Sequence, residues 1–486
     1  MSVVRAEWIK LRSVRGRLIA LIAAAVAMVV FSVFSAAGER RHCSGPTGCP
    51  SLVVGPGGQA VVDSYEFVDR PLAGDGTLTV RVSSLAGAQP WAKAGLLITA
   101  STEPGSSYAA VMVAAGHGVR FQYDYTHDVS GPQDPPGAPA ARWLRLVRAG
   151  DTVTGYASAD GSAWTRIGAA RLSGAAGVVR AGMFVTSPQN ADLTEHPFVT
   201  SGAVLPTLAT AAFSDLTADG AWPAANWTGR TVGPPDDSYP VLTGGSQRLG
   251  DGSLQISGSG DIAPAVGGVE GTGVTIDHTL AGGFVALILV IAVGTLSATS
   301  EYRRGLIRTT LAATPRRGRV LAAKAVVIGG STFLLMVSAA ALSLVLGKRV
   351  LLANHDLLYP ATVAAQARVV VGTAGLIAVA AVVALALGVV FRRSGAAITV
   401  AVVAIVLPYI LFQALPTGAS EWLLRVTPTA ALAIQQTLPV YRQVAIGYTP
   451  VNGYYPLAPW AGFAVLCTYG VATLALAAWL LGRRDA

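Results

Sequence analysis

Apolar and polar positions along the chain fall into two regimes: long uncharged runs, and short stretches in which apolar and polar residues alternate. Leu18 to Ala37 is a run of twenty residues without a charge, and about twenty helical residues cross a hydrocarbon core of roughly 30 Å. The run exceeds the 7–15 apolar residues usual in a cleaved leader, although Ser35-Ala36-Ala37 would suit cleavage. Comparable runs over 281–300, 320–346, 363–391, 395–415 and 459–481 predict five further membrane-spanning helices. Between the first two lies 38–280, which has no run long enough to span. There Val119 to Tyr125, Leu78/Val80/Val82 and Val179/Ala181/Met183/Val185 alternate with period two, the pattern of antiparallel strands with one buried face. Turn signals at Asp75-Gly76, Glu103-Pro104-Gly105, Gly131 to Pro139 and Asp160-Gly161 separate them. The expected fold is therefore an α-helical six-span membrane protein with an inserted all-β sandwich ectodomain.

The ends of the spans carry the remaining pattern. Residues 1–17 place Val4, Trp8 and Leu11 at i, i+4 and i+7, which predicts an amphipathic interfacial helix anchored by Trp8, Lys10 and Arg12. Two residues break the pattern: Ile9 points away from the apolar face and Glu7 towards it. Between the second and third spans lies 301–319, with six arginines in nineteen residues. Residues 416–457, between the last two spans, are polar and aromatic in patches. Pro416, Pro428 and Pro439 fall within that segment.

Composition agrees with a membrane protein: 52% hydrophobic, 13% charged, mean hydropathy +0.52. A soluble domain would carry roughly 25% charged residues. The pI near 9.6 does not imply nucleic acid, because the basic residues cluster at the ends of apolar runs. Residues 1–17, 301–324, 392–393 and 483–484 hold 16 basic residues, against five in the short segments of the opposite side (Lys348, Arg349, Arg368, Arg425, Arg442). That bias places both termini in the cytoplasm and 38–280 outside, with Lys348-Arg349 as the one local departure. Only four of the 35 basic residues are lysines, a coding bias that points to a GC-rich bacterial genome, so the membrane expected is the bacterial plasma membrane. Cys43 and Cys49 fall on the oxidising side and are expected to form a local disulfide.

The chain has no phosphate-binding G-x-x-x-x-G-K-[ST] loop, no H-E-x-x-H, no G-x-S-x-G and no metal-spaced Cys/His cluster. His117 and His127 have no visible third ligand, and no metal is expected. Few charges lie within the spans, so a proton path is poorly supported. Lys324 and Arg368 lie close enough to helix ends to snorkel.

Two resemblances add to this. WAKAGLLI (Trp91–Ile98), YAAVMVAAGHGVRFQY (Tyr108–Tyr123), the stretch Arg142–Gly168 with its ADG-x-x-W turn, and AGMFVTS (Ala181–Ser187) resemble a concanavalin A-like, laminin-G-type jelly-roll over roughly Val61 to Ser187. The E-x-D-x-x-E strand of the glycan-cleaving members is missing, which argues against hydrolysis. Trp91, Trp143 and Trp164 are expected in the core, and sugar binding would use exposed aromatics and Asp/Asn not assignable from sequence. Trp222, Trp227 and Gly252–Pro264 are expected to complete the sandwich or pack on it.

The second resemblance covers residues 1–37 and 281–486. RAEWIKLRS, the run SEYRRGLIRTTL (Ser300–Leu311), Pro315-Arg316-Arg317, Val320-Leu321 with Lys324, and TPTAALAIQQ (Thr427–Gln436) resemble the type-2 ABC transporter permease family. The resemblance implies a transport subunit, not itself an enzyme, that exports a substrate as one of a pair with a second permease copy or homologue. ATP and Mg would belong to a cytoplasmic ABC ATPase dimer, and 416–457, with Pro416, Pro428 and Pro439, would form an outer re-entrant segment of short broken helices. It also implies a coupling helix docking on that ATPase through Glu301, Tyr302, Arg303, Arg304, Arg308, Thr309, Thr310, Arg316 and Arg317. On a helix from Glu301 to Ala313, Arg304 and Arg308 share one side, and Pro315 ends it. The 243 residues between the first two spans depart from the simplest members. The ectodomain would act as a lid, an acceptor site or a cell-wall glycan contact. The alternative is a lectin-like binding or sensing protein on a six-span anchor, without transport.

Overall fold

The structure, a computed structural model, describes residues 3–39, 51–87, 89–132, 142–196, 199–233, 242, 244–250, 252–267, 273–303, 316–412, 415–445 and 447–483. Six helices among them are long and apolar enough to cross a membrane. A short helix α1 (Val3–Ser13) leads into α2 (Arg15–Gly38), and α3 (Gly283–Arg303) follows the β region. Then come α4 (Arg317–Ala353), α5 (Val363–Phe391), α6 (Ser394–Ile405), α7 (Leu407–Leu411), α8 (Thr417–Val426) and α9 (Pro459–Arg483).

Local chemistry sets several boundaries. Thr362 caps α5 by accepting from the Ala365 N–H, and Arg392, left-handed at φ 56°, closes it. The fifth apolar run breaks at Val406 between α6 and α7, because Pro408 has no N–H to continue the ladder. At 37 residues, α4 is about 55 Å long, well beyond the hydrocarbon thickness. α5 is the central helix, buried along most of its length and packed on α3, α4 and α9. Between α8 and α9, Pro428–Gln435 forms a tight helix lying against α5 and α9. The approach is close: a Cβ on Gly372 would stand 2.1 Å from Ile434 Cγ1, and one on Gly462 would stand 2.1 Å from the Ala430 carbonyl. Arg368 also donates to the Gln436 carbonyl, so it is tied to protein and does not extend to the interface as expected.

The β region forms two seven-stranded antiparallel sheets. The first runs, edge to edge, Thr165–Arg171, Thr152–Ser158, Arg142–Ala149, Gly76–Ala86, Ala209–Gly220, Leu254–Gly258 and Gly245–Arg248. The second runs Thr228–Val232, Tyr65–Leu72, Val179–Thr186, Lys93–Thr99, Tyr108–Ala114, Gly118–Tyr123 and His127–Ser130. Leu78, Val80, Val82, Leu144 and Leu146 from the first meet Leu96, Ile98, Val111, Phe121 and Met183 from the second in a common core. Alternation in Arg142–Ala149 sends 142, 144, 146 and 148 inward, the one-sided pattern of an antiparallel strand.

The second sheet is covered on its other face as well. Phe67, Leu97, Tyr108, Met112 and Phe184 pack there against Val61, Tyr125 and Ile262, which accounts for Lys93–Thr99 being buried at every position. The covering strands Val61–Asp63 and Ile262–Pro264 pair with each other and hold the sandwich to the helical body. Ala60 and Ala265 pack on Tyr359, whose hydroxyl donates to the Val266 carbonyl at 3.1 Å. Gln443 Nε2 donates to the Tyr125 carbonyl at 2.6 Å. Asn354, at the end of α4, donates to the carbonyls of Ala36 and Glu39.

Two sequence expectations need correction or fall outside the described residues. Trp91 is buried, but Trp143 and Trp164 are only half-buried: inward positions on their strands belong to Leu144 and Leu146, so Trp143 lies on the outward face. Trp222 and Trp227 pack on the sandwich core as expected and flank the Arg70 guanidinium at 5.5 and 5.4 Å. Cys43 and Cys49 lie outside the described residues.

Candidate functional site

Six helices, α1 to α5 and α9, meet at one end of the helical body. Residues 3–17, 301–303, 316–324, 392–393 and the end of α9 all contribute to this collar. Its centre is Lys324, in the second turn of α4. Lys324 Nζ donates to Glu7 Oε2 of α1 at 2.8 Å and to Glu301 Oε1 of α3 at 2.5 Å. Lys10 Nζ, one turn along α1, reaches the other Glu7 oxygen at 2.8 Å. Two lysines thus balance two carboxylates. Glu7, Glu301 and Lys324 are 6, 4 and 6% exposed, so each charge depends on the others for compensation.

Lys324 therefore does not extend to the interface as the sequence suggested. It is held between two carboxylates because both approach it from packed helices. Glu7, the acid that broke the apolar pattern of α1, is the residue that anchors it. The buried positions of α1 are Glu7 and Leu11, whereas Val4 and Trp8 are 42 and 44% exposed. Burial disfavours charge on Glu7. The Lys324 charge, the hydrogen bonds from Lys10 and Lys324, and the Lys10 charge outweigh it, holding the carboxyl below the usual glutamate value.

Further contacts close the collar. Arg17 donates to Ser300 Oγ at 2.7 Å, joining α2 to α3. Arg317 donates to the Leu481 carbonyl at 2.7 Å, joining α4 to α9. Arg392, from the turn after α5, stands 5.2 Å from the Tyr302 ring. A small cleft lined by Ala298, Tyr302, Val320, Leu321, Val389 and Leu481 opens beside Glu301 and Lys324. Glu301 Oε2 is buried there with no hydrogen-bond partner among the described residues.

Of the residues expected to couple to an ATPase, Glu301, Tyr302 and Arg303 form the last turn of α3. They continue the second span and do not open a separate helix, because the α3 ladder runs on through them. Arg316 precedes α4 and is exposed; Arg317 begins it. Arg304, Arg308, Thr309, Thr310 and Pro315 lie outside the described residues. Of the anchor residues, Trp8 and Arg12 are exposed and Lys10 is engaged by Glu7. Sequence reading gave Glu7, Arg17 and Arg392 no role in the site. A lone acid on the apolar side of α1 was the available signal for Glu7.

In the sandwich, His117 stacks on Trp91 with centroids 3.7 Å apart, and His127 on Tyr123 at 4.2 Å. Among the described residues no group of three or more His, Cys, Asp or Glu could hold a metal ion. Asp63, at the junction with the helices, is 4% exposed. Its Oδ2 accepts from the Gly105 N–H and the Tyr125 hydroxyl, both at 2.8 Å. Its Oδ1 is buried without a hydrogen-bond partner among the described residues. Burial outweighs both bonds and pushes its pKa up to about 6.

No protein-family model matches the chain, and no curated protein matches it. Among solved structures, the chain is similar to a mutant of the GH43 protein BlXynB from Bacillus licheniformis at 14% identity, over 23% of this chain and 24% of that one, with TM-score 0.19. A functionally unknown protein from Saccharomyces cerevisiae is 12% identical over 38% of this chain and 95% of that one, with TM-score 0.21. Scytalido-glutamic peptidase bound to a transition state analog inhibitor is 9% identical over 41% and 98%, with TM-score 0.25. At these scores the similarities carry no argument about fold or activity.

Proposed function

We propose that this chain is the membrane-spanning permease subunit of an ATP-driven ABC transporter, most simply an exporter, powered by a separate cytoplasmic ATPase dimer. The observation that carries the reading is the Glu7–Lys324–Glu301 cluster. It binds the two ends of the arginine-rich 301–319 stretch to each other and to α1. In the permease family that this stretch resembles, it is the part gripped by the ATPase. A push on it would pass into α3 and α4 as one unit, because separating them would strand a buried charge. From the collar, α4 extends to the sandwich junction at its far end, so the same rod would link the ATPase side to the ectodomain. Substrate would cross between two six-span copies. ATP and Mg would be held by the partner, which supplies the energy, while this chain supplies the path.

The sixteen basic residues of 1–17, 301–324, 392–393 and 483–484 support placing the collar in the cytoplasm, with the sandwich outside. Copurification tests the reading. Tagged full-length chain from its native membrane is expected to bring down an ATPase carrying a phosphate-binding loop, and Arg308→Glu is expected to release it. If no such ATPase accompanies the wild-type chain, the reading fails.

A further inference from the structure

The two faces of the sandwich are unequal. The second sheet is covered by the layer that meets the helices, whereas the outward face of the first sheet has no packed layer among the described residues. That open face is the side of the sandwich away from the helical body. Its strands bring aromatic and cationic residues into register. Thr79, Arg145, Tyr156 and Arg166 form one row across four strands, and Arg81 pairs with Trp143 in the next. Row spacing of about 4.8 Å per strand makes the platform roughly 14 Å wide.

The ADG-x-x-W turn builds one end of it. Asp160 Oδ1 accepts from the N–H groups of Ser162 and Ala163 and from Ser158 Oγ, so its carboxylate is engaged within the turn. Gly161, at φ 81°, lies against the Trp143 ring, where a Cβ would be 2.9 Å from the indole. The turn also delivers Trp164, which stacks on the Arg145 guanidinium with 3.8 Å from Cζ to the ring centroid. Arg81, Arg145 and Arg166 form no ion pair among the described residues. Asp215, at the bulge beside Arg81, bonds Ser214 Oγ instead.

We infer that this face binds a linear anionic glycan of the cell envelope, with sugar rings against the aromatic side chains and acid groups on the three guanidiniums. Charge complementarity selects an anionic polymer over a neutral one. The position of the face away from the helices selects an envelope polymer over the bilayer. The inference rests on the external placement of the sandwich, but not on transport.

The full chain in neutral detergent, titrated with an oligogalacturonate and with a malto-oligosaccharide of equal length, provides the test. The oligogalacturonate is expected to bind with an affinity that falls as salt rises, and the neutral oligosaccharide is not. Arg81→Gln with Arg166→Gln is expected to weaken binding roughly tenfold with an unchanged melting temperature. Trp164→Ala is expected to weaken it too. Equal binding of the neutral oligosaccharide, or undiminished binding by the double variant, would overturn the inference. So would failure to bind the oligogalacturonate when the same face sediments with phosphatidylglycerol vesicles. Placement is read separately: Ser83→Cys is expected to react with an impermeant maleimide on intact cells. Absence of reaction would remove the envelope polymer as the occupant while leaving transport to its own test.

Discussion

Glu7 and Lys324, 317 residues apart in sequence, form a buried ion pair of 2.8 Å. Lys324 shares its charge with Glu301 at 2.5 Å, so one ammonium joins α1, α3 and α4. Removing it leaves two carboxylates together with only Lys10 to compensate them. Lys324→Met is therefore expected to destabilise the detergent-solubilised protein by about 3 kcal/mol. Combining it with Glu7→Gln and Glu301→Gln is expected to restore most of the loss. Thermal melting of the single and triple variants checks both, and an unaffected single variant would show the cluster to be dispensable.

The same pair makes the docking of α1 dependent on pH. The Glu7 carboxyl lies below its ordinary value in the fold. Its contribution is therefore present above the unfolded value of 4.5 and is lost as pH falls through the lower folded value. A spin label at Trp8→Cys is expected to be immobile at neutral pH and to gain mobility on acidification below that range. Glu7→Gln is expected to give a label whose mobility varies little with pH.

Asp63 has the opposite sign. Its folded pKa, raised from 3.8 to about 6, stabilises the fold most below the unfolded value. That stability is lost as pH rises through the folded one. Two pKa units correspond to about 3 kcal/mol, lost progressively between roughly pH 4 and 6. Oδ2 already accepts two hydrogen bonds, so the proton is expected on Oδ1, which has no partner among the described residues. Asp63→Asn keeps the shape without the charge, so its melting temperature is expected to exceed that of wild type above pH 6. The difference between the two proteins is expected to shrink towards pH 4. Parallel melting curves across this range would contradict the assignment.

Close packing at the segment before α9 gives a fourth expectation. Gly462→Ala would put a Cβ 2.1 Å from the Ala430 carbonyl, and backbone cannot yield cheaply. A loss of about 2 kcal/mol is expected, read as a lower melting temperature, whereas Gly482→Ala, with open space around it, is expected to change little.

Much of the architecture was legible because single-residue periodicities report single elements. Leu78, Val80 and Val82 alternate since one face of their strand is buried. The run over 363–391 carries a single charge, Arg368, because α5 is surrounded by other helices. What periodicity could not show is pairing over long sequence separations. Glu7 reads as a flaw in an amphipathic helix until Lys324 is known to face it. Trp143 and Trp164 were expected inside because large aromatics usually are, yet strand phase puts Trp143 outside and a turn lays Trp164 over Arg145. The break at Val406 was hidden in an uninterrupted apolar run, where only Pro408 marked it. The arginine-rich stretch was legible as a charge pattern, but its fixed ends became evident only from the contacts of Glu301, Arg317 and Lys324.

ATP hydrolysis by the reconstituted complex tests the central claim most directly. With the copurifying ATPase and wild-type chain in liposomes, hydrolysis is expected to be faster than for the ATPase alone. Arg308→Glu is expected to remove that stimulation while leaving the basal rate of the ATPase unchanged. Hydrolysis that is indifferent to the presence of this chain, or to Arg308→Glu, would contradict coupling through 301–319.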